Sequence, residues 1–94
     1  MACYIVSYDL RNPGRNYEDL YERLKSYRKW AKLTESTWAI VTENSVVEVR
    51  DHLKYVLDGN DRIFIIKSAG VAAWSNSICR NEWLKDNLPI ITSW

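Results

Sequence analysis

One segment near the N-terminus limits the possible folds of this chain more than any other. Residues 3–10 read CYIVSYDL, a pattern of extended backbone in which alternate side chains point to opposite faces of a sheet. Both sets of side chains are largely apolar until Asp9, at the C-terminal tip of the strand. We therefore predict a central strand in a sheet whose two faces are both covered.

Helical and extended patterns alternate along the rest of the chain. The predicted elements are a helix over 17–30, an extended stretch over 32–43, a second helix from Ser45 and a strand over 62–67. Asn16 is the expected N-cap of the first helix, and Ser45 with Glu48 has the spacing of a capping box for the second. The extended stretch is either two short strands or one long strand bent near Ser36. Four consecutive apolar residues in the last strand predict burial on both of its faces.

These elements predict an α+β fold with a ferredoxin-like βαββαβ sandwich and a C-terminal extension. The 94 residues fit one domain, 1–94, with a core over 2–67 and an extension over 68–94. In the extension we expect a short edge strand over 71–74 and one or two helical turns over 80–88, stopped by Pro89. Residues 90–94 are mostly apolar and are expected to pack on the domain or on a partner. Two helices cover only one face of a sheet, so a second copy of the chain is the simplest cover for the other, and we predict a homodimer.

The charge balance excludes a broadly basic nucleic-acid binder but leaves room for a local basic face. Thirteen Lys and Arg residues oppose 12 Asp and Glu residues, for a formal net charge of +1. Cys3 and Cys79 do not have metal-binding spacing, and Cys3 is expected to be a buried free thiol. The single histidine, His52, is expected on the exposed side of the second helix. With no apolar run as long as a membrane span and no secretory signal pattern, the expected compartment is the cytoplasm, without membrane association.

Asp9 is the residue that this sequence singles out for chemistry. A carboxylate at a strand tip can hold Mg²⁺, which takes oxygen ligands and can activate water and clamp a phosphodiester. One aspartate is too few for such a site, but a symmetric dimer supplies two if the strand tips meet at its axis. The alternative is that Asp9 caps the following turn by accepting hydrogen bonds from backbone N–H groups. The sequence leaves both roles open.

A group of polar residues forms a candidate surface for nucleic acid. Its members are Arg11, Arg15, Arg28, Lys29 and Ser36. The cationic members suit phosphate contacts, and Ser36 could bond a phosphate or support Asp9. Acidic residues are interleaved among the cations, so a solvated helix face with ion pairs is an equal alternative. For Ser36 the alternative is a hydrogen bond to a local backbone group.

Three tryptophans of the extension are candidates for contact with a protein partner. They are Trp74, Trp83 and Trp94. Trp is enriched at the centres of interfaces, but packing in the core of the domain is an equal alternative.

Several short motifs resemble those of a known superfamily. The SYDL end of the first strand, the STW sequence over 36–38 and the late DRIFII strand over 61–66 are similar to those of small CRISPR-associated adaptation endoribonucleases (the second Cas protein) and virulence-associated D toxins. The likeness covers about residues 2–67. With its WLK tail over 83–85, the chain resembles most closely the small bacterial and phage proteins described as uncharacterised or SinR-like.

The resemblance implies a ferredoxin-like fold, a homodimer, and Asp9 as the counterpart of the strand-tip aspartate that binds a divalent metal. Ser36 matches the serine that precedes an aromatic residue in the family. The expected function is a dimeric, nucleic-acid-directed protein, a Mg²⁺-dependent ribonuclease or deoxyribonuclease. The alternative is a non-catalytic module that binds a nucleic acid, or a protein partner through its C-terminal tail.

Overall fold

Residues 1–88 fold into an α+β domain with a four-stranded antiparallel sheet and three helices. The computed structural model describes residues 1–88, so the predictions for Pro89, for residues 90–94 and for Trp94 in particular lie outside the described residues. The elements are β1 (Ala2–Asp9), α1 (Glu18–Lys25), β2 (Lys29–Thr34), β3 (Thr37–Thr42), α2 (Val46–Lys54), β4 (Arg62–Lys67) and α3 (Asn81–Asn87). The strands lie in the order β2-β3-β1-β4. Among residues 1–88, no helix is both long and apolar enough to cross a membrane.

Strand β1 is central, as its two apolar faces predict, because it pairs with both β3 and β4. Its even-numbered side chains, such as Val6, pack with α1 and α2, whose buried residues include Leu24 and Leu53. Its odd-numbered side chains turn to the other face, where Cys3 lies with Ala39 against α3. Cys3 is a buried free thiol, as predicted, and burial raises the pKa of this thiol to about 11.

The first helix is shorter than predicted. The predicted range, 17–30, was wrong at its C-terminal end. The helix ends at Lys25, and Ser26 closes its last turn by donating its Oγ–H to the carbonyl of Arg23 at 2.6 Å. The chain then becomes β2, in which Trp30 contacts Trp38 of β3 on one face and Ala31 is buried on the other. Cross-strand packing therefore outweighs helix propensity here. The stretch over 32–43 forms two strands with a turn at Glu35 and Ser36.

Two other expectations were wrong on the second face of the sheet. Strand β4 is not buried on both faces, because Phe64 and Ile66 are 64% and 52% exposed. The edge strand expected over 71–74 is irregular chain that follows a positive-φ turn at Gly70. Helix α3 places Leu84 and Leu88 over β1 and β3, so the extension covers part of the face that we assigned to a second copy and leaves β4 open.

Candidate functional site

The candidate site is the end of the sheet at which β1 terminates in Asp9. Antiparallel pairing places Arg62, the first residue of β4, directly opposite Asp9. The turn between β2 and β3 lies at the same end, because the backbone N–H of Tyr8 donates to the carbonyl of Ser36 at 3.1 Å. Register alone therefore brings Asp9, Arg62 and Ser36 to one edge of the domain.

Two arginines surround the carboxylate of Asp9. Its Oδ2 lies 3.1 Å from Nη1 of Arg62 and 3.8 Å from Nη1 of Arg11. The three side chains are between 46% and 68% exposed, and solvent-exposed ion pairs of this kind contribute about 1 kcal/mol or less. These pairs can therefore exchange partners when an anion or a cation binds. A cleft of about 310 Å³ beside them is lined by Ser7, Tyr8, Asp9, Arg62, Ile63 and Phe64.

The turn-capping alternative for Asp9 is not what the structure shows. The backbone N–H of Arg11 donates instead to Oδ1 of Asp61 at 2.7 Å. Asp61 also accepts from the hydroxyl of Tyr17 at 2.8 Å and from the backbone N–H of Asp58 at 2.8 Å. Burial raises the pKa of Asp61, but these hydrogen bonds outweigh it and hold that pKa below its ordinary value. Asp61 thus fixes the loop after β1 and leaves the carboxylate of Asp9 to the arginines.

Asp58 completes this attachment of the loop. Its carboxylate accepts from Nδ2 of Asn12 at 2.7 Å and lies 3.9 Å from Nη1 of Arg15. Arg15 also donates to the carbonyl of Val56 at 2.9 Å, so its guanidinium holds the loop to the segment that follows α2. Sequence reasoning missed Asp58, Asp61 and Arg62, because each acts on residues about 50 positions away.

The five residues predicted to bind nucleic acid do not form one surface. Arg11, Arg15 and Ser36 lie at the Asp9 end of the domain. Lys29 pairs with Val41, which pairs with Cys3, six residues before Asp9 on β1. At about 3.3 Å per residue, Lys29 lies about 20 Å from Asp9 along the sheet. Arg28 is exposed beside Lys29 at this far end.

The other predicted residues divide between surface and core. Trp74 is 36% exposed and donates its indole N–H to Oδ1 of Asn81 at 3.0 Å. Trp83 is partly buried against the cluster formed by Cys3, Ala39, Leu84 and Leu88, so its role is packing. His52 was expected to be exposed but is half-buried, and its Nδ1 lies 2.7 Å from the hydroxyl oxygen of Tyr27.

The described residues of a single chain do not fit a Mg²⁺ site by themselves. Among residues 1–88, no group of three or more His, Cys, Asp or Glu side chains is arranged to hold a metal ion. Asp9 offers one carboxylate, and two guanidinium groups already contact it. A metal at Asp9 therefore requires ligands from a second copy, from solvent or from a substrate.

Comparison with known proteins gives a structural likeness and no activity. No protein-family model matches the chain. The fold is similar to the crystal structure of a hypothetical protein from Thermus thermophilus, with a TM-score of 0.63 and 26% sequence identity. The match covers 83% of this chain and 95% of that one.

Proposed function

We propose that the chain is a ferredoxin-like domain of the superfamily that contains the CRISPR-associated adaptation endoribonucleases and the virulence-associated D toxins. The proposal is supported by the alternation β1-α1-β2-β3-α2-β4 and by the central position of the strand that ends in Asp9. A fold of this kind hosts many functions, so the activity depends on the residues of the site.

The proposed function is to bind and cut RNA or DNA at the Asp9 end of a homodimer. The observation that carries it is the exposed carboxylate of Asp9 held between Arg62 and Arg11. Guanidinium groups bind phosphate oxygens with paired, charge-assisted hydrogen bonds. Because the pairs with Asp9 are exposed and weak, a phosphodiester can take the arginines and free the carboxylate for a metal ion.

The proposed cofactor is Mg²⁺, held by one Asp9 from each copy. Two carboxylates and solvent provide the oxygen ligands that this ion prefers, whereas the described residues of one chain offer the single carboxylate of Asp9 at this site. When bound, the ion supplies an activated water and neutralises charge on the phosphodiester. The protein's own part is to position two carboxylates and, through Arg11 and Arg62, to hold the phosphate beside them.

A homodimer is supported by the apolar surface that α3 leaves open. Phe64 and Ile66 are exposed on β4, an edge strand of the sheet. Ile66 borders an apolar groove of about 570 Å³ that extends to Leu33, Val71 and Trp74. Exposed apolar side chains on an edge strand are a common site of self-association.

Replacing Asp9 with asparagine tests the catalytic proposal. We expect Asp9→Asn to abolish Mg²⁺-dependent cleavage of labelled RNA or DNA, because the metal is then deprived of its charged ligand. The fold is expected to persist, with a stability change of about 1 kcal/mol or less, since the substitution removes only exposed ion pairs. Asp51→Asn, which removes an exposed carboxylate that pairs with Arg50, is the matched control and should cut normally.

The assay is run with Mg²⁺ and with a chelator, and the oligomeric mass of each variant is measured by light scattering. Cleavage by Asp9→Asn at the wild-type rate contradicts the proposed mechanism.

Absence of cutting by the wild-type protein, with binding that weakens as salt increases, favours a non-catalytic nucleic-acid-binding module. That second function is favoured by the arginine pairs, which occupy Asp9 within a single chain. A non-catalytic module that docks a protein partner is the other form of this alternative, with Trp74 as its exposed candidate.

A further inference from the structure

An aromatic groove lies between α1 and the edge strand β2, on the helix-covered face of the sheet. It has a volume of about 310 Å³ and is lined by Glu18, Tyr21, Lys25, Trp30, Lys32 and Trp38. The first three residues follow one face of α1 at i, i+3 and i+7, and Trp30 and Lys32 share one face of β2. The groove is therefore formed by two regular elements and not by a loop.

The rings of the groove form a continuous surface with one accessible member. Tyr21 and Trp38 stack with their planes 14° apart and their centroids 6.3 Å apart. The centroid of Trp30 lies 5.6 Å from that of Trp38. Trp38 is buried, but Trp30 is 40% exposed on a strand whose outer edge is unpaired in the described part of the chain. A large ring held by a rigid neighbour and left open to solvent can stack a second planar group.

The ammonium groups of Lys25 and Lys32 determine which ligand charge the groove favours. Nζ of Lys25 lies 5.7 Å from the ring centroid of Trp30, and Nζ of Lys32 lies 6.0 Å from that of Trp38. They disfavour a cationic ligand, which aromatic walls alone would suit. Glu18 lines the groove, and Glu35 lies 3.7 Å from Lys32, but Glu35 is 92% exposed and screens the lysine weakly. Both lysines are on flexible stems and can swing from the rings to an anion at the rim.

We propose that this groove binds single-stranded nucleic acid, with an unpaired base stacked on Trp30 and with Lys25 and Lys32 on the flanking phosphates. Aromatic stacking beside lysines is the chemistry by which proteins hold single strands without reading their sequence. A duplex is a poorer ligand because its base faces are already stacked. The inference rests on the nucleic-acid-directed part of the proposed function, but not on cleavage at Asp9.

Fluorescence anisotropy with a labelled single-stranded oligonucleotide, in chelator so that no cutting occurs, tests the groove. We expect Trp30→Ala to weaken binding about 5- to 150-fold, the range that corresponds to removing the stacking of one base. Trp30→Phe keeps a ring and should restore most of the affinity. Tyr55→Ala removes an exposed aromatic ring outside the groove and should bind as the wild type does.

A second variant keeps the test independent of the packing of Trp30. Replacing Lys25 and Lys32 with glutamine should reduce the slope of log affinity against log salt by about 1.4, or about 0.7 for each phosphate that no longer has a lysine beside it. Far-UV circular dichroism and urea unfolding establish that each variant is folded. RNA and DNA single strands, a duplex and a free mononucleotide are compared in the same assay.

Wild-type affinity in both the Trp30→Ala and the lysine variants contradicts the inference, as does equal or tighter binding of the duplex or of the mononucleotide. A wild-type protein that binds no single strand also contradicts it. If Trp30 is needed for binding but nothing is cut, the result supports the groove as a binding site and contradicts catalysis by Asp9. If cutting requires Asp9 but binding does not depend on Trp30, the result contradicts binding in the groove and leaves the proposed catalysis by Asp9 supported.

Discussion

At the scale of single residues, the surroundings of His52 in α2 disfavour its protonated form. Burial lowers the pKa of His52, and the nearby guanidinium of Arg23 lowers it further. Burial also raises the pKa of Tyr27 to about 12, and a hydrogen bond of 2.7 Å joins the tyrosine hydroxyl to Nδ1 of His52. Arg23 donates to the carbonyl of His52 at 2.7 Å, which ties α1 to α2 beside the imidazole.

We therefore predict that acidification through the histidine range destabilises the protein. The unfolded chain binds a proton at His52 near pH 6.5, whereas the folded chain binds it only at a lower pH. The free energy of unfolding therefore falls as the pH is lowered from about 6.5 to the pKa of His52 in the folded chain. The check is the midpoint of urea unfolding at pH 7.5 and at pH 5.5. His52→Gln removes the titrating group and should flatten this difference, and an unchanged difference would contradict the assignment.

Some features at the scale of single residues were predictable from the sequence, because they depend on residues that are close together along the chain. Ser45 and Glu48 form the capping box that their spacing indicates, with Glu48 N–H to Ser45 Oγ at 3.1 Å and Ser45 N–H to Glu48 Oε1 at 2.8 Å. Asp9 ends β1, as the apolar pattern requires. Its partner Arg62 was not predictable, because 53 residues separate the two and only the register of β1 with β4 joins them.

At the scale of elements, the bounds of β4 and α3 follow the sequence pattern, but the way in which these two elements pack does not. Strand β4 has the predicted bounds, Arg62–Lys67, but it lies at an edge and exposes one face. An apolar run indicates a strand, but it does not tell whether a later segment covers that strand. The segment that covers the second face is α3, whose pattern over 80–88 predicted a helix but not its packing partner.

Because α3 supplies core residues, we predict that the extension is needed for the stability of the domain. Leu84 is 1% exposed and packs with Cys3, Ala39 and Leu88. Leu84→Ala should lower the free energy of unfolding by about 2–5 kcal/mol, the usual range for a large-to-small change in a core. Lys85→Ala, at the exposed neighbouring position of α3, is the control in the same urea titration. Equal stability of the two variants would show that α3 is a detachable appendage.

At the scale of the whole molecule, the residues predicted to bind nucleic acid are divided between the two ends of the sheet. Asp9, Arg11 and Arg62 lie at one end, where the proposed chemistry requires two copies to meet. Lys29 lies about 20 Å away at the other end, beyond the reach of a phosphate bound at Asp9. The proposed groove lies at the edge strand β2 on the helix-covered face, whereas Asp9 belongs to the odd-numbered residues of β1, which turn to the other face, so the groove and the Asp9 site are separate.

The proposal of a shared metal site is tested most directly by a crystal structure of the full chain grown with Mn²⁺, which takes similar oxygen ligands and scatters anomalously. We predict a two-fold dimer with an anomalous peak on its axis, within about 2–2.5 Å of a carboxylate oxygen of Asp9 from each copy. Arg62 should then have left Asp9. A monomer, or a dimer in which both Asp9 side chains keep their arginines and face apart with no peak between them, would contradict the account.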